Sequence, residues 1–176
     1  MNIINKNRRF FKYCPKCGAA ALHFIKTKKL KCSRCRFEYY HNTAAAVAAI
    51  ITDNNSKILF VKRARKPAKG MLDLPGGFAD HNESAEEALK REIKEELCLK
   101  ITSAKYLCSA ANTYKYKEVT YSTIDLAFVC KVNDISRAKP KDDVKSILFV
   151  TPSKIQMKKL AFKSTIKIIS FYLAGL

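Results

Sequence analysis

The chain has 176 residues, of which 48% are hydrophobic, and a formal net charge of +19. This length and apolar content suit one folded domain, or a small module followed by a domain, and they exclude a largely disordered chain. The positive charge favours phosphate-rich partners, although a basic surface that only maintains solubility explains it equally well. Basic residues are densest in residues 1–41, which hold eleven Lys and Arg against the single acidic Glu38.

The first predicted element is a pair of Cys-x-x-Cys motifs, Cys14 to Cys17 and Cys32 to Cys35, with fourteen residues between them. This spacing is typical of a four-thiolate tetrahedral zinc site, in which two tight turns direct all four sulfurs to one point. Two disulfides are the competing interpretation, which an expected cytosolic location and three further thiols disfavour. We therefore predict a small structural zinc ribbon over residues 1–41, which depends on the metal for its folding.

Basic and aromatic side chains are interleaved within the predicted ribbon. Such a mixture could follow a nucleic-acid backbone and stack on its bases, so RNA is a candidate partner. The competing interpretation is that the aromatic residues only pack the ribbon against its neighbour. The residues concerned are Phe24, Lys26, Lys28, Lys29, Lys31, Arg34, Arg36, Phe37, Tyr39 and Tyr40.

The second predicted domain, residues 42–176, begins with two apolar runs. Ala44–Ile51 and residues 57–63 flank a turn sequence at 53–56, and this pattern predicts two strands joined as a hairpin. Arg63 then opens a basic loop. A loop that faces a phosphate site would use such charges, whereas the alternative is an ordinary solvated loop.

Residues 84–97 predict an amphipathic helix that begins with a Ser84–Glu87 capping box. Its apolar stripe contains two carboxylates one helical turn apart, Glu92 and Glu96, with Glu95 at the edge. Carboxylates on a buried face repel one another and lose hydration, so they need a compensating charge. A divalent cation that prefers oxygen ligands, above all magnesium, is the simplest one.

The remaining residues predict two strands, 101–113 and 118–132, and a helical tail from Thr151 onward. Three further cysteines lie among apolar neighbours and are predicted to be core thiols: Cys98, Cys108 and Cys130. The chain start lacks a signal-peptide pattern, and the apolar stretch 166–176 is too short to span a bilayer. We therefore expect a cytosolic protein that has no membrane partner.

Residues 77–99 also resemble the signature of the Nudix hydrolases. That signature is a Gly, five residues, a Glu, seven residues, Arg-Glu, an apolar residue, any residue, Glu-Glu, any residue, a Gly and an apolar residue. Every fixed position matches except the last glycine, where this chain has Cys98. Residues 70–78 are similar to the strand-to-loop entry of that family. The resemblance covers about residues 42–176 and implies an α+β fold, an α/β/α sandwich with a mixed sheet, behind the zinc ribbon.

The resemblance implies hydrolysis of a phosphoanhydride bond in a nucleoside diphosphate linked to another group, with magnesium or manganese. By position, Glu92 and Glu96 are the expected catalytic metal ligands, and Glu95 is a further or water-mediated ligand. Arg91 is expected to pair with Glu83 and to hold the loop and helix rigid. The remaining expected residues, whose backbone or side chains approach metal or substrate, are Arg63, Gly76, Gly77 and Tyr114.

Two positions depart from the family pattern. Cys98 replaces a glycine at a helix end where the left-handed backbone is common, at a cost of about 1 kcal/mol. Ser146 stands where many relatives carry a Glu that binds metal or acts as a base. The base must then come from the helix carboxylates, or the enzyme is slow.

The substrate is the least defined feature. A zinc ribbon before such a domain resembles the NADH pyrophosphatase arrangement, but the SQPWPFPxS-type segment of that group is absent and the chain has no Trp. We therefore expect an ADP-sugar such as ADP-ribose, while Tyr114, near a base-stacking tyrosine of dinucleoside polyphosphate hydrolases, leaves dinucleotides open. The alternatives are the same reaction at RNA 5′ ends and a non-catalytic nucleotide- or RNA-binding module. Relatives often dimerise, so a homodimer is a further expectation.

Overall fold

The computed structural model describes residues 7–26 and 29–175. The chain divides into two compact units: residues 1–43 with 113–122, and residues 44–112 with 123–176. None of the helices in the described ranges has the length and hydropathy needed to cross a bilayer.

The first unit contains a small antiparallel sheet in the order β1-β2-β3. Its strands are β1 (Leu22–Ile25), β2 (Lys29–Cys32) and β3 (Glu38–Tyr40). Among the described residues of this unit, the buried hydrophobic side chains are Cys14, Leu30 and Cys32. An apolar core of this size cannot offset the conformational entropy of folding, so the unit needs a cross-link such as a metal.

The end of a long hairpin, residues 113–122, belongs to the same unit. The side chain of the buried Asn7 forms two hydrogen bonds with the backbone of this segment. Its side-chain nitrogen donates to the Thr120 carbonyl oxygen (2.5 Å), and its side-chain oxygen accepts from the Thr120 N–H (2.9 Å). Arg9 also contacts Glu118 at 3.0 Å. Because that ion pair is exposed, it contributes little, whereas the two Asn7 bonds are buried and contribute more.

The second unit contains two three-stranded sheets, β4-β8-β7 and β6-β5-β9. The strands are β4 (Ala44–Ile51), β5 (Ile58–Arg63), β6 (Leu72–Asp73), β7 (Ile101–Tyr116), β8 (Val119–Val132) and β9 (Val144–Val150). In the first sheet β4 runs parallel to β8, whereas β5 pairs antiparallel with both β6 and β9. The predicted mixed pairing is confirmed.

The predicted hairpin of β4 and β5 is wrong, because the two strands lie in different sheets. The backbone pairing between them is an isolated bridge that joins Thr52, the residue after β4, to Ile58. Residues 49–51 and 58–61 are all buried, so both strands are covered on two faces. A continuous apolar run predicts a buried strand but does not identify its partner.

Two helices cover the strands of this unit, α1 (Ala85–Leu97) and α2 (Lys163–Ala174). They pack into separate core clusters. Consecutive residues of the central strands alternate between these clusters: Ala49 and Leu59 join that of α1, whereas Ile50 and Phe60 join that of α2. Because side chains of a strand alternate between faces, the strands separate the two helices. The predicted α/β/α sandwich is therefore confirmed.

The helical tail begins later than predicted. Two 3-10 turns, Pro152–Lys154 and Met157–Lys159, precede α2. Ile155 and Leu160 pack into the α2 core cluster, but they lie five residues apart, a spacing that fits no single face of an α-helix. The apolar residues of this segment therefore belong to the core as predicted, but their spacing does not fit a helix.

The prediction that Cys98 is a core thiol is wrong, because this residue is exposed. It lies one position beyond α1, where the chain leaves the apolar face of the helix. Cys130 is buried and Cys108 partly buried, as predicted. Burial raises the pKa of the Cys130 thiol to about 12, so this thiol stays protonated at neutral pH.

Candidate active site

Helix α1 has defined ends, which fix the position of every side chain along it. The Ser84 hydroxyl accepts a hydrogen bond from the Glu87 N–H (3.2 Å), and the Glu87 carboxylate accepts one from the Ser84 N–H (2.8 Å). This reciprocal capping box satisfies two N–H groups that a helix start leaves unpaired. At the other end Cys98 adopts a left-handed conformation, with φ 58°, and its N–H donates to the Lys94 carbonyl oxygen (3.0 Å).

Arg91 connects the preceding loop to the carboxylates of α1. Its Nε and Nη2 donate to the two oxygens of Glu83 (2.9 and 2.8 Å), and Nη2 also donates to the Phe78 carbonyl oxygen (2.9 Å). Its Nη1 donates to Glu92 (2.8 Å) and Glu95 (3.2 Å). These contacts raise the pKa of Arg91 and lower that of Glu83. A bidentate arginine of this kind restrains the loop and both helix carboxylates at once.

Two glycines bring the loop backbone close to β4 and α1. Gly76 has φ 141°, and a Cβ there would lie 2.1 Å from the Val47 carbonyl oxygen. A Cβ on Gly77 would lie 2.4 Å from Oε1 of Glu92. The absence of side chains at these positions therefore allows the loop to pack on β4 and leaves room for the Glu92 carboxylate.

Glu96 is the most buried carboxylate of the site, with 8% of its surface exposed. It accepts a hydrogen bond from the Gly76 N–H at 3.0 Å. Burial raises its pKa to about 8, and the negative charges of Glu92 and Asp73 add to this effect, while Arg63 and the Gly76 bond oppose it. Burial likewise raises the pKa of Glu92. Two desolvated carboxylates within each other's field favour a cation between them.

Asp73 is a charged residue of this region that is not among the site residues predicted from the sequence. Its carboxylate accepts hydrogen bonds from the Thr165 hydroxyl (2.7 Å) and from Nη1 of Arg63 (3.3 Å). Arg63 also donates to the Pro67 carbonyl oxygen (2.9 Å) and lies over the Phe162 ring (5.0 Å). The predicted substrate ligand Arg63 is thus engaged in internal contacts. The sequence feature that indicates Asp73 is its position between two leucines, Leu72 and Leu74.

Ser146, the position of the missing acid, lies on β9 opposite Lys62 of β5. Its neighbour Ile147 packs against the α1 core cluster, so strand alternation directs the Ser146 side chain away from α1. Asp142 lies in the turn before β9, and its charge contributes to the raised pKa of Glu92. The N–H of Lys141 donates to the Glu96 carbonyl oxygen (2.9 Å), which holds this turn against the end of α1.

Tyr114 is half-buried on β7, in the part of that strand that belongs to the first unit. The other predicted residues of the hydrolase site, Arg63, Gly76, Gly77, Glu83 and the four charged residues of α1, all belong to the second unit.

The carboxylates of α1 have the donor chemistry that a divalent cation requires. In the described part of the chain Glu96 forms no ion pair, so this buried carboxyl group lacks a cation that would hold it in its ionised form. Among the same residues, the Glu side chains do not bring three ligand atoms within 4.8 Å of one another, and Glu92 and Glu95 both contact Arg91. Oxygen donors on a partly buried face, where a bound cation would favour the ionised carboxylates, fit magnesium or manganese.

The four cysteines of the first unit do come together. Cys14, Cys17, Cys32 and Cys35 are free, and their sulfurs all lie within 4.8 Å of one another. The Sγ–Sγ distances are 3.6 Å for Cys14–Cys35 and 3.8 Å for Cys17–Cys32. Sulfurs bound at about 2.3 Å to a tetrahedral zinc lie about 3.8 Å apart, so the arrangement fits this metal.

The turns that carry these cysteines explain their convergence. The N–H of Gly18 donates to the Cys14 carbonyl oxygen (2.9 Å), and that of Arg36 donates to the Cys32 carbonyl oxygen (3.0 Å). Gly18 and Arg36 both adopt left-handed conformations, with φ of 69° and 61°. Backbone N–H groups of Cys35 and Arg34 lower the pKa of the Cys32 thiol and favour its thiolate, whereas burial and the neighbouring thiols raise the pKa of Cys35.

Comparison with known proteins identifies the second unit. The family model for the NUDIX domain matches residues 42–170. ADP-ribose pyrophosphatase of Methanocaldococcus jannaschii is 36% identical over 149 residues, which cover 85% of this chain and 82% of that protein. The NAD-capped RNA hydrolase NudC of Pseudomonas fluorescens is 24% identical over 136 residues, which cover 74% of this chain and 48% of that protein. This chain thus spans about half the length of the bacterial relative.

The fold comparison agrees with the family match. The crystal structure of a NUDIX hydrolase from Nitrosomonas europaea matches with a TM-score of 0.70 and 23% identity, over 94% of this chain and 92% of that one. The family model covers most of the chain, and the archaeal relative shares more than a third of the aligned residues. This chain is therefore a member of the Nudix family of pyrophosphohydrolases.

Proposed function

We propose that this chain hydrolyses the phosphoanhydride bond of ADP-ribose or a related ADP-sugar, with a divalent cation held by α1. The archaeal relative named ADP-ribose pyrophosphatase supports this substrate class, because the match extends over most of both chains. The observation that carries the proposal is the buried Glu96 beside Glu92, against a loop in which Gly77 leaves room for the Glu92 carboxylate.

The proposed roles follow from the contacts of each side chain. Glu92, Glu95 and Glu96 hold the cation, which when bound neutralises phosphate charge and acidifies the attacking water. Arg91 is a positioning residue, because its guanidinium holds Glu92 and Glu95 and anchors both to Glu83. Since Ser146 points away from α1, the proton of the attacking water passes to a carboxylate of α1 or to Asp142.

A turnover panel tests this function. ADP-ribose, NADH, NAD, diadenosine polyphosphates and nucleoside triphosphates are compared with magnesium or manganese present. We expect ADP-ribose to be cleaved fastest, and Glu96→Gln to lower kcat at least about a hundredfold, the scale for losing a group that stabilises transition-state charge. Glu86→Gln, at an exposed position on the same helix, is the matched control and should retain activity. A flat panel, or full activity of Glu96→Gln, would contradict the proposal.

A second candidate function is the same reaction on NAD-capped or otherwise capped RNA. The first unit favours it, because Tyr13, Tyr39, Tyr40 and Tyr116 are all at least half exposed. Lysines accompany two of these rings: Lys29 lies 5.9 Å from the Tyr40 centroid, and Lys117 lies 5.6 Å from that of Tyr116. Exposed aromatic rings beside cations form stacking platforms for single-stranded nucleic acid.

Binding of a fluorescent single-stranded RNA tests this second candidate. Tyr39→Ser with Tyr40→Ser should weaken binding about tenfold or more, since stacking contributes about 1–3 kcal/mol per base. Phe171→Ser removes an equally exposed aromatic residue from α2 and should not change affinity. Equal affinity of all three proteins, or binding that is independent of salt, would reject the RNA function.

We also propose that zinc occupies the four-cysteine cluster and has a structural role. Four thiolates complete a tetrahedral shell and leave no position for water or substrate. The small apolar core of this unit supports the structural assignment.

A further inference from the structure

A groove in the second unit is lined by residues that have no part in the proposed hydrolysis. Two depressions of about 440 and 160 Å³ adjoin, because they share Leu72, Leu148 and Lys159. They form one continuous groove, referred to here as the lysine groove. We propose that the lysine groove binds a nucleoside monophosphate, with the phosphate against its lysines and the nucleoside against its apolar floor.

Four lysines surround the groove: Lys62, Lys154, Lys158 and Lys159. They come from separate elements, Lys62 from β5 and the others from the two 3-10 turns before α2. Among the described residues none of the four forms an ion pair, whereas Lys29 and Lys31 of the first unit both pair with Glu38. In the same part of the chain no acidic side chain lines either depression. The groove therefore has an uncompensated positive potential that attracts anions.

The floor of the groove is apolar and partly uncovered. Phe60 of β5 pairs with Leu148 of β9, and Lys62 pairs with Leu72 of β6. Directly opposite residues share a sheet face, and residues two apart in one strand share it as well, so these four side chains lie on one face. Phe60 is fully buried there, whereas Leu148 is 37% exposed. A large aliphatic side chain thus remains open to water immediately beside lysines.

The combination selects the class of ligand. Inorganic phosphate would contact the lysines but leave Leu148 and Leu72 hydrated, and an uncharged apolar molecule would desolvate the lysines without compensation. A nucleoside monophosphate satisfies both parts of the groove. The larger depression, at about 440 Å³, lies within the range of small-molecule sites. Met71 at its edge is a flexible thioether that adapts to a flat ring.

Calorimetric titration of AMP into the full zinc-loaded chain, without added magnesium or manganese, tests the proposal. We expect saturable binding below about 1 mM, and at least about tenfold weaker binding of adenosine and of inorganic phosphate. Lys62→Gln, Lys158→Gln and Lys159→Gln together should weaken AMP binding about tenfold, because each partly exposed charge contact contributes modestly. The matched control replaces three exposed lysines elsewhere in the unit, Lys100, Lys105 and Lys131, by Gln and should leave the affinity within about twofold.

A fluorescent reporter locates the ligand independently, because the chain contains no Trp. In the Leu148→Trp variant the single indole lies in the groove. AMP should change the emission of this indole saturably. If the indole instead fills the groove, calorimetry should show no binding of AMP to this variant. Wild-type affinity of this variant without any change in emission would place AMP elsewhere and overturn the proposal. Absence of AMP binding, equal loss in the control variant, or binding of single-stranded RNA without binding of AMP would overturn it as well.

Discussion

The two glycines of the loop before α1, Gly76 and Gly77, have different neighbours. We therefore expect a side chain at one position to affect folding and a side chain at the other to affect hydrolysis. The Cβ of an alanine at Gly76 would meet a backbone oxygen of β4 at 2.1 Å, in a backbone conformation that side chains disfavour. The Cβ of an alanine at Gly77 would instead meet the end of the Glu92 side chain. A strand backbone cannot yield without breaking its pairing, whereas a carboxylate can rotate away.

We therefore predict opposite phenotypes for the two alanine variants. Gly77→Ala should lower kcat by about tenfold to a hundredfold with little change in Tm, since it would displace the proposed metal ligand Glu92 by about 1 Å. Gly76→Ala should lower Tm first. Thermal unfolding and steady-state kinetics of both variants decide this, and Gly175→Ala, which meets nothing closer than 3.6 Å, is the control. Normal turnover by Gly77→Ala would mean that the position of Glu92 does not matter for hydrolysis.

Asp73 is predicted to give the fold a measurable pH dependence. Burial raises its pKa in the folded protein to about 6, above the ordinary value of 3.8. Between these values the folded state binds more protons than the unfolded state, so the free energy of unfolding falls as pH rises from about 4 to about 6. Asp73→Asn should remove up to about 3 kcal/mol of this fall.

Urea unfolding across that pH range provides the measurement. The difference between the wild-type and Asp73→Asn curves isolates this carboxyl from other groups, including the cysteine cluster. The exposed Glu118→Gln variant should keep the wild-type slope. Parallel wild-type and Asp73→Asn curves would show that Arg63 and Thr165 fully compensate the buried charge.

The clustering of carboxylates on the buried side of α1 could be predicted from sequence, but the contacts of the neighbouring charged residues could be predicted only in part. Glu92 and Glu96 stand out because they interrupt an apolar stripe, and helical periodicity is a local property. The contact of Arg63 with Asp73 joins two strands, and the Thr165 bond joins residues 92 positions apart. Such contacts depend on tertiary structure, which periodicity does not encode.

At the scale of elements, the residue after α1 is a cysteine where the family pattern has a glycine, and the cost of this difference in folding free energy can be measured. Cys98 holds a left-handed conformation that glycine adopts without strain. Cys98→Gly should therefore raise the free energy of unfolding by about 0.5–1 kcal/mol, the lower value if the unfolded chain gains entropy. Chemical denaturation checks this, with Cys98→Ser as the control that removes the exposed thiol but keeps the strain. If both variants gain equally, the effect belongs to the thiol and not to the backbone.

The predicted elements were correct where the pattern is periodic and wrong where pairing or irregular packing decides. Helix α1 was predicted within one residue because a capping box and a 3.6-residue stripe agree. β4 and β5 were predicted as strands but assigned to one hairpin, since the turn at 53–56 suggested it. Residues 151–162 bury apolar side chains without a helix, because two short turns with Pro152 and irregular spacing replace it.

At the scale of the whole molecule, the two units depend on different sources of stability. The second unit has two apolar clusters with many fully buried side chains. The first has few buried apolar side chains among its described residues, and it joins residues far apart in sequence through Asn7 and Thr120. Composition predicts a boundary near residue 41, and it gives no sign that residues 113–122 share a compact unit with residues 1–43.

Removal of zinc should therefore affect the first unit selectively. Cys32→Ser should abolish binding of one zinc per chain, since structural sites require all four thiolates. It should also speed hydrogen exchange of the Thr120 amide, which donates to Asn7, because the unit that contains both residues loses its cross-link. The Ala49 amide, bonded to the Pro75 carbonyl oxygen within the second unit, should stay protected.

Cys98→Ser removes a thiol outside the cluster and should keep both zinc and protection. Loss of protection at Ala49 as well would mean that the catalytic unit relies on the ribbon for its stability, despite its own core.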